Sequence, residues 1–257
     1  MANTMRILGA VCWRTWLKTA RRPVVLTFSF AQPIMWLLFF GFLFHRFDVG
    51  LPLRGVRYLD FLLPGVCAMT VLFGASQSGI GLIRDMQTGF LQRLFDSPAN
   101  PGVVLGGKLL ADVVRLLAQA VVIGLLGLVI GTKLHFTVAG LAATLVALGL
   151  FAIGFCSLSC LVALKTGAQE SMATFVHLVN MPLLFTSSAL VPAKQMPDWL
   201  AAISRVNPLT LAVDVSRDAL LFGEFGSLGR ALMLLAAVGI IPLGAAWITA
   251  KELRRQN

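Results

Sequence analysis

The chain has 257 residues, 58% of them hydrophobic and only 12% charged, with a formal net charge of +10. A soluble domain carries about twice that charged share, so a globular protein with a polar surface is excluded. Several stretches exceed the ~20 apolar residues needed to cross a bilayer, and the ~10-residue alternating segments of an outer-membrane barrel are absent, so the chain reads as an all-α polytopic membrane protein.

Residues 5–22 predict a helix lying along the membrane. Arg14, Lys18 and Arg21 share one face, flanked by Arg6 and Arg22, and Trp13 and Trp16 lie toward the other side. Ile7 and Val11 interrupt the basic face, but a basic helix with two tryptophans suits the cytoplasmic leaflet and its anionic lipids. Span 1 is predicted over residues 24–44, roughly 31 Å, with Pro33 inside it. It follows a basic stretch and is too long for the core of a cleavable signal peptide. Residues 45–58 are a loop and span 2 covers 59–83.

The stretch RDMQTGFLQRLFDSP, 84–98, is a long polar interruption between two spans. Met86, Phe90 and Leu94 recur at i, i+4, i+8, with Leu91 and Phe95 beside them. That spacing predicts one short amphipathic helix, stopped by Ser97-Pro98. Such a helix needs a surface, either the bilayer interface or a partner protein. Span 3 is predicted over 103–131, span 4 over 138–164, span 5 over 171–190 and span 6 over 228–249, followed by the basic tail of Lys251, Arg254 and Arg255. Six spans put both termini on one side, and their basic residues favour the cytoplasm. Arg46, Arg54 and Arg57 in the first external loop run against that rule.

Span 3 carries Lys108, Asp112, Arg115 and Gln119 at i, i+4, i+7, i+11, all within about 60° of one another on a helix. Ionisable groups at membrane depth face protein or a water-filled cavity. The stripe is therefore either an ion-pair ladder packing span 3 on a neighbour or a wall of a substrate path or gate. His177 and Asn180, at i, i+3 in span 5, read either as buried hydrogen-bonded side chains or as a substrate or proton contact. Gly127 and Gly131 form a GxxxG contact motif. Cys12, Cys67, Cys156 and Cys160 have no metal-ligand spacing and read as small packing residues.

The external segment 191–227 predicts two short helices, 198–205 and 208–222. Pro197-Asp198 suits a helix start, and Asn207-Pro208 is an N-cap followed by proline at the first helical position. The second helix is too short to span and too apolar for water, so the pair dips into the outer leaflet, as a lid over a lateral opening or as a cap on the fold. No GxxxxGK[ST] loop and no catalytic cluster of His, Cys, Asp or Glu occurs.

Two blocks resemble a known family. The first is Arg84–Gly89 through Arg93-Leu94 and Ser97-Pro98 to Gly107–Asp112. The second is Thr186–Pro192, then Met196–Leu200, Asn207–Thr210 and Ala212–Asp214. With the six-span layout over essentially the whole chain, they resemble the permease subunits of type-2 ABC exporters, the group of the daunorubicin-resistance permeases and the Nod-factor and polysaccharide exporters. The resemblance implies a single transmembrane domain, 1–257, in a bacterial or archaeal plasma membrane. It implies that the permease is not itself an enzyme, and that it pairs with itself or a sister permease. It also implies two copies of a separate ABC ATPase, which holds ATP-Mg; no cofactor or metal belongs to this chain. Residues 84–98 would be the coupling helix, with Arg84, Asp85, Met86, Gly89, Phe90, Arg93, Leu94 and Pro98 at the ATPase. Residues 5–22 would be an interfacial gate helix. Pro197, Trp199, Asn207, Pro208 and Asp214 would belong to external re-entrant helices. Many members are glutamate-rich after the first arginine of the coupling segment, where this chain has Asp85-Met86-Gln87, closer to the drug exporters. The expected function is ATP-driven export of a drug, lipid or lipid-linked glycan. The alternative is a proton- or ion-coupled secondary transporter with Asp112 and His177 as relay residues, although no internal repeat and few intramembrane acids support it. A lipid-modifying membrane enzyme is the third reading, and no catalytic constellation supports it.

Overall fold

The computed structural model describes residues 9, 12–17, 21, 23–44, 56–95, 101–135 and 137–256, and the regular structure among them is entirely helical. Residues 12–17 form a short helical run. The helices after it are α1 (Pro23–Leu43), α2 (Tyr58–Gln87), α3 (Phe90–Phe95), α4 (Pro101–Ile130), α5 (Val138–Thr166), α6 (Gln169–Phe185), α7 (Asp198–Val206), α8 (Pro208–Arg217) and α9 (Leu228–Gln256). Four of them, α2, α4, α5 and α9, are long and apolar enough to cross a membrane.

Helix α2 is the axis of the molecule. It packs against α1, α4, α5, α6 and α8, and 83% of its most apolar stretch is buried, against 22% for α9. Its sequence explains this. Gly65, Ala68, Ala75, Ser76, Ser78 and Gly79 are small and buried, so neighbouring backbones approach closely. A Cβ on Gly65 would collide with the carbonyl of Ala189. The hydroxyls of this face bond within the protein. Thr70 Oγ1 donates to Val66 O at 2.8 Å, and Ser159 Oγ donates to Ser76 O at 2.7 Å while accepting from Gly79 N at 3.0 Å. These polar groups are thus satisfied inside the bundle, as a bilayer requires.

Contacts at the helix ends sort the chain into two ends of one bundle. At the first, Arg14 pairs with Asp85 at 3.5 Å and Gln169 Nε2 donates to Gln87 Oε1 at 2.8 Å. At the second, Phe44 packs on Tyr58 with ring centroids 4.9 Å apart, Lys133 N donates to Asp60 Oδ1 at 2.7 Å, and His135 N donates to Leu220 O at 2.7 Å. Helices α1, α2, α4, α5, α6 and α9 thus follow one another between the two ends. Helix α6 has 17 residues, close to the lower limit for a span.

Several expectations need correction. Residues 84–98 are not one amphipathic helix. Arg84–Gln87 is the last turn of α2, and the chain breaks at Thr88-Gly89, where Gly89 has φ +67°. Only Phe90–Phe95 then forms α3, and 96–100 lies outside the described residues. The apolar spacing on either side was real, but a left-handed glycine ends the helix between its two halves. Only the first glycine of the GxxxG motif makes a close helix contact. Gly127 packs against Leu63, whereas Gly131, at φ +102°, lies just beyond the end of α4. Helix α9 itself runs on past the predicted span, through the basic tail to Gln256.

The cap at residues 207–208 forms as expected: Asn207 Oδ1 accepts from Leu209 N at 2.8 Å and Pro208 opens α8. Helix α7 starts at Asp198 after Pro197, without a side-chain cap bond. The second predicted helix stops at Arg217, and Asp218–Phe222 follows as a π-helical turn ended by Gly223 at φ +66°. Among the cysteines, Cys67, Cys156 and Cys160 are buried and Cys12 is half-buried; all four are free thiols.

Candidate functional site

The stripe on α4 meets α2 side by side. Lys108 Nζ lies 2.6 Å from Asp112 Oδ2 and donates to both the carbonyl and the hydroxyl of Ser78 at 3.1 Å. Ser78 Oγ in turn donates to Asp112. One turn further, Arg115 Nε stands 3.9 Å from Asp112 Oδ1 and Nη2 reaches Gly74 O at 3.4 Å. Gln119 Nε2 crosses to α1 and donates to Ser29 O at 2.8 Å. Lys108, Asp112 and Gln119 are buried and Arg115 is half-buried. A charged pair at this depth is tolerable because each partner has further hydrogen bonds.

The same four residues line a cavity of about 600 Å³ between α1, α2, α4 and α6. That volume is within the ~300–1,000 Å³ typical of small-molecule sites. Trp36, Val66, Met69, Phe73 and Met181 supply apolar wall. Ser29, Gln32, Thr70 and Gln77 add uncharged polar groups, and Arg84 and Asp85 reach it from the last turn of α2. The two readings of the stripe are therefore not exclusive in geometry: Lys108 and Asp112 form the ladder, and the whole stripe also forms wall.

His177 lines this cavity and is exposed, not buried and bonded. Asn180 turns away from it into the helix packing, where Ser76 Oγ donates to its Oδ1 at 2.9 Å. The two residues are thus separated, because three positions along a helix turn a side chain by about 60° from its neighbour, enough to put one in space and one in a contact.

At the inner end, Arg14 joins two elements that the sequence treats apart. Its guanidinium sits 3.3 Å from the centre of the Phe90 ring and pairs with Asp85. The 12–17 run therefore rests on the α2–α3 turn. Trp13 and Trp16 are exposed, as is Arg21, and Lys18 lies outside the described residues. Met86 packs on the core, Arg84 and Arg93 are exposed, and the Leu94 side chain and Pro98 lie outside the described residues.

At the outer end the residue that organises the segment is Arg217, which sequence reasoning missed. It is buried and donates to Phe61 O at 3.1 Å, Ser188 O at 2.8 Å and Ala189 O at 3.0 Å, and it lies 3.5 Å over the Phe61 ring. Burial, partly offset by Asp214, pushes its guanidinium down to about 10, so it stays charged at neutral pH. The signal available was an arginine on an apolar helix, which must find partners in the protein. Asp214 accepts from Ser188 Oγ at 2.8 Å, and Asn207 Nδ2 donates to Leu183 O at 2.8 Å. Pro197 and Trp199 face outward, exposed. No group of three His, Cys, Asp or Glu among the described residues is placed to hold a metal ion.

A bundle organised on one buried helix, with a partly charged cavity opening beside it, is the frame of a membrane transport protein. The family model for the ABC-2 type transporter matches residues 7–221, and the chain belongs to that family. It is 32% identical over 206 residues to the putative transport permease ycf38 of Cyanophora paradoxa, covering 79% of this chain and 70% of that one. It is 27% identical over 245 residues to the daunorubicin resistance ABC transporter permease protein DrrB1 of Streptomyces coeruleorubidus, covering 95% and 85%. Nodulation protein J of Rhizobium meliloti (strain 1021) is 24% identical over 204 residues, covering 79% and 76%. The chain is thus a multi-pass ABC transporter permease.

Proposed function

We propose that this permease is the transmembrane subunit of an ATP-driven exporter, taking an amphipathic or hydrophobic substrate from the cytoplasm or inner leaflet through the cavity between α1, α2, α4 and α6. The observation that carries this is the continuity between that cavity and the polar segment at its inner end: Arg84 and Asp85 line the cavity, and α3 begins one turn later. The cargo is a drug, lipid or lipid-linked glycan, and the drug-resistance name of DrrB1 favours the first of these.

In this reading ATP-Mg is bound and hydrolysed on a separate ATPase that seats against residues 84–98. Two permeases, identical or sister chains, act with two ATPases in a bacterial or archaeal plasma membrane. All six end-to-end helices cross, with both termini cytoplasmic. ATPase closure pushes α3; the short turn at Thr88-Gly89 passes the push to α2, which slides against the Lys108–Gln119 face of α4 and opens the cavity. The Arg14 contact makes the N-terminal helix move with the same turn. Secondary transport through Asp112 and His177 is disfavoured, because the Asp112 carboxylate is held by Lys108 at 2.6 Å and by Ser78.

The test is reconstitution of the chain alone and with candidate ABC ATPases. Transport that requires both chains and ATP supports the reading; proton-driven transport by the lone chain sinks it. Arg93 is exposed on α3, so Arg93→Glu is the cleanest docking variant, with expected loss of ATPase co-purification and of substrate-stimulated hydrolysis.

A further inference from the structure

The charges that face the cavity do not balance. On α2 they are Arg84 and Asp85, on α4 Lys108, Asp112 and Arg115, and on α6 the imidazole of His177; α1 contributes only uncharged groups. Each acid already has a close cation: Asp85 has Arg14 at 3.5 Å, and Asp112 has Lys108 at 2.6 Å. Arg84 has no carboxylate partner among the described residues, and Arg115 is held only loosely, 3.9 Å from Asp112 Oδ1, while Lys108 and Ser78 share the other oxygen of that carboxylate. Three cations thus face two acids around the space, with Arg84 unmatched and Arg115 at the long end of an ion pair.

Their heights differ. Arg115 reaches the carbonyl of Gly74, ten positions along α2 from Arg84, or roughly 15 Å. Beyond Arg115 the α2 wall runs through Phe73, Met69 and Val66, another ~12 Å that is mainly apolar. A cation entering this cavity would meet like charge at the mouth and again halfway in. An anion would be drawn in by the first arginine and held by the second.

We infer that the cavity takes an amphiphile with an anionic head, such as a phosphate or carboxylate on an alkyl or isoprenoid tail, with Arg84 steering the head and Arg115 binding it. The inference rests on the reading of this cavity as the substrate path. Guanidinium suits the task because its planar fork matches phosphate and carboxylate oxygens. Gln119 stays engaged with Ser29 O and Thr70 with Val66 O, so neither competes strongly for the head.

The test uses the full chain in nanodiscs of neutral phosphatidylcholine, so that surface charge does not select the probe. Two fluorescent dodecyl probes with the same tail are compared, one ending in phosphate and one in trimethylammonium. Gln77, exposed on the cavity wall, is changed to Trp in a second sample to fill the space. Expected is saturable binding about ten-fold tighter for the phosphate probe, reduced to near parity by Arg115→Gln, and lost for both probes in Gln77→Trp. Inorganic phosphate alone is expected not to displace the probe. Equal or reversed preference, with binding that Gln77→Trp still abolishes, overturns the anionic head and leaves the path intact. Displacement by inorganic phosphate overturns the amphiphile in favour of a free anion. Absence of any saturable binding sensitive to Gln77→Trp overturns the path and the inference together. Thermal melting of Arg115→Gln near the unmodified value is required for its loss of preference to count as support.

Discussion

Arg217 and Arg14 are both arginines over an aromatic ring, yet burial makes them energetically different. Arg217 is buried and satisfies three carbonyls, so Arg217→Met leaves Phe61, Ser188 and Ala189 without these donors. The expected cost is about 3 kcal/mol, read as a large fall in the thermal midpoint of the detergent-purified protein. Arg217→Lys is expected to fall nearly as far, because an ammonium cannot reproduce the planar fork. Arg14 is 38% exposed, and its pair with Asp85 at 3.5 Å is screened by solvent. Arg14→Ala is therefore expected to shift stability by less than ~1 kcal/mol. A melting change for Arg14→Ala as large as that for Arg217→Met would contradict this account of both sites.

At the scale of elements, the break between α2 and α3 decides how a push on the polar segment is transmitted. Gly89 is in the left-handed region, and a Cβ there would meet nothing within 4 Å. Gly89→Ala therefore tests backbone conformation alone. With the observed turn it is expected to destabilise by about 1 kcal/mol, whereas in one continuous helix over 84–98 it would stabilise by a similar amount. The sign of the change in thermal midpoint separates the two. Apolar spacing at i, i+4, i+8 was legible in the sequence and so were the caps at 207–208, because both are local. The break was not legible, since Thr88-Gly89 is as compatible with a tolerated helical glycine as with a cap, and the docking of Arg14 on Phe90 bears on that choice from far along the chain.

Over the whole molecule, six helices run end to end with α2 at the centre, and the connections alternate between the two ends. Lys165 and Glu224 are exposed at opposite ends and mark them. In intact cells a membrane-impermeant maleimide is expected to label Glu224→Cys, and Lys165→Cys only after permeabilisation. Cys12 is replaced in both, since the other native cysteines are buried. Labelling of both positions from outside would remove the proposed orientation, and with it the placement of residues 84–98 toward a cytoplasmic ATPase. Helices α5 and α9 add a second test of the packing. They cross where Gly154 and Gly239 meet, and a Cβ on Gly154 would stand 3.1 Å from the Gly239 Cα. Gly154→Leu is expected to separate these helices and sharply lower the yield of folded protein.

The sequence alone was enough for the class of protein, the order of the helices and the residues of the polar stripe. Hydrophobic runs, basic ends and helical spacing are properties of short stretches, and a membrane leaves few ways to satisfy them. Two family blocks supplied the rest of that reading. What only the tertiary structure decided was which side chains meet. It put Lys108 and Asp112 against Ser78 and left Arg115 facing a cavity, exposed His177 while burying Asn180, and brought Arg14 to Phe90 and Arg217 to the unwound end of α6. Each of these joins residues far apart in the chain, and whether a charge is paired or free depends on neighbours that helical periodicity does not specify.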